Sequence, residues 1–73
     1  MAKDICIQFG QRIRTLRTER GWRQIDLAQE AGINEKYISD LELGKKEICL
    51  QMIKAVADAF NMSIAELFRD ENT

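Results

Sequence analysis

The 73-residue chain contains no histidine and no proline, only two cysteines, and no apolar run longer than three residues. Without histidine, no Ser-His or Cys-His nucleophile can form, and two cysteines alone cannot complete a four-ligand zinc site. We therefore expect a protein that is not an enzyme and that needs neither a metal nor a cofactor. A membrane span would need about 18 consecutive apolar residues. The short runs therefore predict no membrane partner, no secretory signal and a cytoplasmic location.

The two cysteines, Cys6 and Cys49, are compatible by spacing with a disulfide. A cytoplasmic location favours the other reading, in which both are free and behave as small hydrophobic side chains.

The charge of the chain is small but unevenly distributed. The net charge is −1, with about +2 over residues 1–46 and −3 over residues 47–73. The region from Arg12 to Arg23 contains five arginines against a single acid, Glu19. A basic region of this kind is typical of nucleic-acid binding, although solvated helix faces give the same pattern.

Apolar residues recur with helical periodicity, which predicts an all-α domain of five short helices spanning residues 1–73. The helices are expected at about residues 4–20, 24–31, 35–43 and 50–60 and after Ser63. Asn34 is a good N-cap for the third helix, and Ser63 with Glu66 forms a capping box for the fifth. The predicted core stripes of the first and fourth helices contain Ile5, Cys6, Phe9, Ile13, Leu16, Leu50, Ile53, Val56, Ala57 and Phe60.

The second and third predicted helices are joined by three residues, Gly32-Ile33-Asn34, which is the spacing of a helix-turn-helix. Ala28 supplies the small side chain that a close helix approach needs, and Gly32 tolerates a positive φ in the turn. The positions expected to lock the two helices together are all apolar: Leu27, Ala31, Ile33, Ile38 and Leu41.

In these residues the chain resembles the phage-repressor and Cro type of DNA-binding domain, the lambda-repressor-like fold. The matching segments are Gln-Ile-Asp-Leu-Ala-Gln-Glu-Ala-Gly-Ile at 24–33, Tyr-Ile-Ser at 37–39, Leu-Glu at 41–42, Gly-Lys at 44–45 and Asn-Met-Ser-Ile-Ala-Glu-Leu-Phe at 61–68. The resemblance covers about residues 9–68. In size, and in the segment 36–42, the chain is most similar to the controller proteins of restriction–modification operons.

The resemblance implies a role for each matching position. The third helix would enter the major groove of DNA, with phosphate contacts on either side of it. It also implies that Arg17 and Glu42 form a buried ion pair joining the first and third helices. For Gln24, the resemblance implies either phosphate contact or support of the third helix. The residues expected to contact DNA are Gln24, Asn34, Glu35, Lys36, Tyr37, Ser39, Asp40, Leu43, Lys45 and Lys46.

Residue chemistry agrees with base reading, but it leaves an alternative open. Lys36 can donate to guanine O6 and N7, and Glu35 or Asp40 can accept from cytosine N4. Three acids on or near the third helix, Glu42 included, are however unfavourable beside a polyanion. They favour the alternative of a helix-turn-helix module that binds proteins, such as an antitoxin or an adaptor for RNA polymerase.

One short helix reads few base pairs, so we expect a two-fold homodimer on palindromic operator half-sites of double-stranded DNA. The C-terminal segment contains more apolar surface than a core of this size is expected to absorb. The predicted dimer interface is Phe60, Ile64, Leu67 and Phe68. The sequence thus predicts a transcriptional regulator, with RNA polymerase as a further candidate partner.

Overall fold

A computed structural model describes residues 2–45 and 47–69, and within these residues the chain forms five α-helices and no strand. The helices are α1 (Ala2–Glu19), α2 (Gln24–Ala31), α3 (Glu35–Glu42), α4 (Leu50–Ala59) and α5 (Ile64–Phe68). The predicted all-helical fold is confirmed, and the bounds differ from those expected by no more than two residues. None of these helices combines the length and the apolar character needed to cross a bilayer.

Local side-chain chemistry explains where the helices begin. Asn34 Oδ1 accepts a hydrogen bond from the Lys36 N–H at 2.7 Å, and this caps α3. In α5, Ser63 Oγ accepts from the Glu66 N–H at 3.0 Å, and the Glu66 carboxylate accepts from the Ser63 N–H at 2.9 Å. These bonds satisfy N–H groups that the first turn of a helix cannot pair internally.

The core lies where α1 crosses α3 and α5, and where α2 and α4 close the other side. Among the residues that the structure describes, eleven apolar side chains are buried there: Phe9, Ile13, Leu16, Leu27, Ala28, Ile38, Leu41, Val56, Ala57, Phe60 and Leu67. Two residues predicted for the core, Ile5 and Leu50, are instead exposed, Leu50 to 71%. Each lies in the first turns of its helix, so the apolar stripe extends past the helices that pack on it. Cys6 and Cys49 are both free thiols.

Candidate nucleic-acid interface

The α2–α3 corner is built as a helix-turn-helix. Gly32 ends α2 in the left-handed conformation at φ 69°, and the Ile33 N–H donates to the Ala28 carbonyl at 2.9 Å. Buried Leu27 and Ile38 lock the two helices together, and buried Ala28 allows their close approach. The corner therefore fixes α3 across α2, with one side of α3 turned away from the core.

The C-terminal end of α3 is held by an ion pair inside the protein. Arg17 Nε donates to Glu42 Oε2 at 2.6 Å, and Arg17 Nη2 donates to Oε1 at 3.0 Å. Arg17 Nη1 also donates to the Trp22 carbonyl at 2.8 Å. The Glu42 side chain is only 4% exposed. The pair that the resemblance implied is thus present, and it joins α1 to α3 in bidentate geometry.

Gln24, the first residue of α2, belongs to the same network. Its Nε2 donates to Glu42 Oε1 at 3.1 Å, and its side chain is half-buried. The resemblance gave this position two roles, phosphate contact or support of the recognition helix. The observed hydrogen bond is of the second kind.

Gly10 brings α1 into direct contact with the same end of α3. A Cβ built on Gly10 would lie 2.6 Å from the Glu42 carbonyl oxygen and would also overlap the Leu41 carbonyl. Sequence reasoning missed this residue. The available signal was a glycine inside an amphipathic helix, which costs about 1 kcal/mol relative to alanine and so indicates a packing reason.

The outward side of α3 contains five of the ten predicted DNA-contacting residues. Glu35 and Lys36 are exposed, whereas Tyr37, Ser39 and Asp40 are half-buried. Asn34 is exposed as well, but its side-chain oxygen is used as the N-cap. The structure therefore brings the predicted base-reading positions together on one surface.

The turn after α3 contains the predicted phosphate contacts. Leu43 and Lys45 are exposed, and the Lys45 N–H donates to the Asp40 carbonyl at 3.0 Å. This bond folds the turn back against the end of α3. Lys46, also predicted to contact phosphate, lies outside the described residues.

Charges on the outward side of α3 are closely balanced. Lys36 Nζ lies 3.7 Å from Asp40 Oδ2, in an i,i+4 pair. Of the three acids that made this helix look unfavourable for DNA, Glu42 faces the interior and is neutralised by Arg17. Glu35 and the Lys36–Asp40 pair remain, so the surface is less acidic than the sequence indicated.

Tyr37, on this surface, and Asp26, at the start of α2, have shifted pKa values. Burial raises the pKa of the Tyr37 phenol, and the nearby Cys49 acts in the same direction. The Tyr37 hydroxyl lies 3.5 Å from the Glu47 carbonyl. At the start of α2, hydrogen bonds from Arg23 lower the pKa of the Asp26 carboxyl. Asp26 therefore stays ionised and accepts the Arg23 backbone N–H at 2.7 Å.

Several arginines between Arg12 and Arg23 donate hydrogen bonds within the protein and so do not form an open basic surface. Arg12 donates to the Leu67 and Glu66 carbonyls, both at 3.1 Å. Arg20 donates to the Phe60 carbonyl at 2.9 Å and lies over the Phe60 ring at 4.7 Å. These bonds join α1 and the turn that follows it to the C-terminal part of the chain. The local positive charge is therefore weaker support for nucleic-acid binding than the sequence suggested.

The predicted dimer interface requires a correction. Phe60 and Leu67 are buried in the core of their own chain, at 2% and 0% exposure, so neither can contact a partner. Phe68 is 46% exposed although its ring stacks on Phe9 at 4.8 Å, and Ile64 is half-buried. The predictions for Phe60 and Leu67 were wrong because Phe60, at the end of α4, and Leu67, in α5, both lie on the inward sides of these helices. Phe68 borders an apolar groove of about 350 Å³ whose lining includes Ile5, Cys6, Ile48 and Ile53.

Comparison with known proteins agrees with this geometry. The helix-turn-helix family matches residues 13–67, which include the whole α2–α3 corner. The chain belongs to the helix-turn-helix family. The family members described below are transcriptional regulators and controller proteins, and the resemblance found in the sequence is confirmed.

Three relatives show the range of the family. The control protein C.MunI from Mycoplasma sp is 31% identical over 72 residues, which cover 92% of each chain. The immunity repressor of Bacillus phage phi105 is 32% identical over 62 residues, covering 85% of this chain and 43% of the repressor. The crystal structure of the restriction–modification controller protein C.AhdI from Aeromonas hydrophila superposes with a TM-score of 0.86 at 35% identity. That match covers 89% of this chain and 98% of C.AhdI. The chain spans about half the length of longer relatives such as the phage repressor.

Proposed function

We propose that this helix-turn-helix protein is a sequence-specific transcriptional regulator that binds palindromic operator half-sites in double-stranded DNA as a homodimer. The α2–α3 corner carries the proposal. Its inner side is fixed by the Arg17–Glu42 pair, whereas its outer side leaves polar side chains such as Lys36 open to a ligand. A rigid helix with an exposed polar side is what major-groove reading requires.

Two classes of contact follow from the positions of the lysines. Lys36, on the second residue of α3, is 81% exposed and can donate to guanine O6 and N7. Lys45 lies beyond the helix in the turn, where a cation contacts phosphate and sets the register without reading sequence. Glu35 and Tyr37 complete the reading surface, and Lys46 is proposed as a second phosphate contact.

Dimerisation supplies the second half-site. The half-exposed Phe68 and the half-buried Ile64, one turn earlier in α5, are the proposed contact, since an exposed phenylalanine beside an apolar groove is surface that a partner can cover. The net charge of −1 leaves little repulsion between copies. RNA polymerase is a further proposed partner once the dimer is bound at a promoter.

A controller of a restriction–modification operon is the narrower proposal. C.AhdI is a restriction–modification controller protein and C.MunI is a control protein. Both match this chain over nearly their whole length. The longer phage repressor matches this chain over only 43% of its own length.

The test of DNA binding starts by selecting bound sequences from a random duplex pool. Affinities for the selected operator and for a scrambled duplex are then measured over a salt series. Lys45→Ala should weaken both affinities equally and lower the salt slope by roughly one ion per half-site. Lys36→Ala should cost about 1–3 kcal/mol on the operator and much less on scrambled DNA. Lys54→Ala, a lysine of α4 outside the corner, is the matched control.

The outcomes separate DNA reading from protein binding. A parent protein that selects no sequence, with Lys36→Ala and Lys45→Ala both indistinguishable from it, would favour the protein-binding alternative. Parallel losses for Lys36→Ala on both duplexes would make Lys36 a phosphate contact and move base reading to Glu35 and Tyr37.

Sedimentation tests the dimer contact. The parent is expected at about twice its 8.4 kDa mass and Phe68→Asp at the monomer mass. Circular dichroism of the variant checks that the helices remain, since Phe68 also packs on Phe9. Equal masses for the two proteins would show that the interface lies elsewhere.

A further inference from the structure

Asp40 occupies the centre of the outward side of α3. On a helix with 3.6 residues per turn, Lys36 and Asp40 lie one turn apart, on the side opposite the buried Ile38 and Leu41. Asp40 therefore lies on the side of α3 that would face a duplex bound by the corner, with its side chain 13% exposed. Since DNA is a polyanion, such a residue needs a functional explanation.

The two members of the Lys36–Asp40 pair differ in solvent exposure. The Lys36 side chain is 81% exposed, whereas that of Asp40 is 13% exposed, and their charged atoms lie 3.7 Å apart. The Asp40 carbonyl also accepts the Lys45 N–H at 3.0 Å. Asp40 is thus a largely covered carboxylate beside Lys36, and the Lys36 ammonium is the exposed member of the pair.

We propose that Asp40 is a specificity-determining residue that suppresses binding to DNA lacking the operator sequence. The inference rests on the proposed function. Non-specific binding is electrostatic and independent of sequence, so an acid held against the duplex weakens it everywhere. Its pairing with Lys36 also keeps one cation from phosphates. Specific partners are often selected by such a repulsive element as well as by attractive contacts.

One base pair of the operator offsets the unfavourable electrostatic effect of Asp40 on DNA binding. In the major groove, guanine presents the acceptors O6 and N7, and its paired cytosine presents the N4 donor. A G·C pair is therefore complementary to the pair formed by Lys36 and Asp40, with the ammonium on guanine and the carboxylate on cytosine. The proposal places a G·C pair in each half-site opposite this turn of α3.

Asp40→Asn tests the inference, with Asp58→Asn as the control. Asp58 forms the same i,i+4 arrangement with Lys54 on α4, at 2.7 Å, so both variants change the net charge by the same amount. Affinities are measured for the selected operator, for the operator with G·C replaced by A·T at each position, and for a scrambled duplex. Circular dichroism accompanies each variant.

Asp40→Asn is expected to bind the scrambled duplex more tightly and to lower the ratio of operator to scrambled affinity about tenfold. Its salt slope on scrambled DNA should steepen by roughly one ion per half-site as Lys36 turns to phosphate. It should also lose most of the parent's preference for G·C at one position. Asp58→Asn should keep the parent's ratio, and Asp40→Glu, which retains the charge, should keep most of it.

The result that would overturn the inference is a parent that prefers its operator and an Asp40→Asn variant with the same ratio. A parallel fall in both affinities would also overturn it and leave Asp40 a purely structural role. If the asparagine variant loses helix content, Asp40→Ser is measured against the same two outcomes. A parent that prefers no duplex contradicts the proposed function itself, which distinguishes the two failures.

Discussion

The two ends of α3 are built in opposite ways. At the C-terminal end, Glu42 is almost fully buried against Arg17, and Gly10 lets α1 touch the helix backbone. At the N-terminal end, Asn34 caps the helix from the surface and Lys36 extends into solvent. One end attaches the helix to the protein and the other is left for a ligand. Substitutions at the first should therefore cause the larger losses of stability, and substitution of Lys36, exposed at the second, should change binding.

The largest loss of stability is expected from Arg17→Ala. Removing the guanidinium leaves the Glu42 carboxylate buried without its partner, which typically costs about 3–5 kcal/mol. For a small domain this is a large fraction of the total free energy of unfolding. Thermal and urea unfolding, followed by circular dichroism, measure it.

Arg23→Ala is the matched control for this loss. Arg23 forms an ion pair with Asp26 at 3.1 Å, but the arginine is exposed. Exposed pairs contribute little to stability because water and salt screen them. A melting temperature of Arg17→Ala within a degree of the parent would contradict the assigned role of the buried pair.

Gly10→Ala should cause the next largest loss of stability, although helix propensity alone would make alanine the more stable residue. Alanine is the better helix former by about 1 kcal/mol, so an open site would be stabilised. Here the new methyl group meets the Leu41 and Glu42 carbonyls, which belong to a rigid backbone. Overpacking of this kind costs about 1–3 kcal/mol.

Gln11→Ala, at an exposed position of the same helix, provides the reference for Gly10→Ala. Urea unfolding should show it within about 0.5 kcal/mol of the parent, as for most surface substitutions. Equal or higher stability for Gly10→Ala would show that α1 can move away from α3.

Sequence patterns predicted the caps and turns, which depend on residues that are close together along the chain. The Asn34 cap, the Ser63–Glu66 capping box and the turn at Gly32 follow from residue type and spacing, and all three are present. The Arg17–Glu42 pair joins residues 25 positions apart and came from resemblance to a known family rather than from a local pattern.

The sequence could not predict how closely the helices approach one another. The contact at Gly10, and the bonds from Arg12 and Arg20 to carbonyls near the C-terminus, depend on how α1 crosses its partners. The same reason explains why Phe60 and Leu67 were assigned to a surface. Periodicity identifies an apolar side of a helix but not which neighbour covers it.

Asn34→Ala should destabilise the free end of α3 by about 1 kcal/mol, because the Lys36 N–H loses its acceptor. Asn34→Asp keeps a side-chain oxygen at the cap and should retain most of the stability. Equilibrium urea unfolding distinguishes the two. Equal stability for the alanine variant and the parent would mean that water replaces the cap without cost.

Lys36→Ala is expected to change stability least, within about 0.5 kcal/mol, because an i,i+4 pair on a helix surface contributes only that much. Lys54→Ala removes a lysine from the same arrangement on α4 and should give a similar value, measured by urea unfolding. The two variants should then differ only on DNA, where Lys36→Ala alone loses operator affinity. A loss of stability above about 1 kcal/mol for Lys36→Ala, with none for Lys54→Ala, would mean that the outward side of α3 also supports the fold. The division between a structural end and a binding end of the helix would then be wrong, and the effect of Lys36 on DNA affinity would have to be corrected for the unfolded fraction.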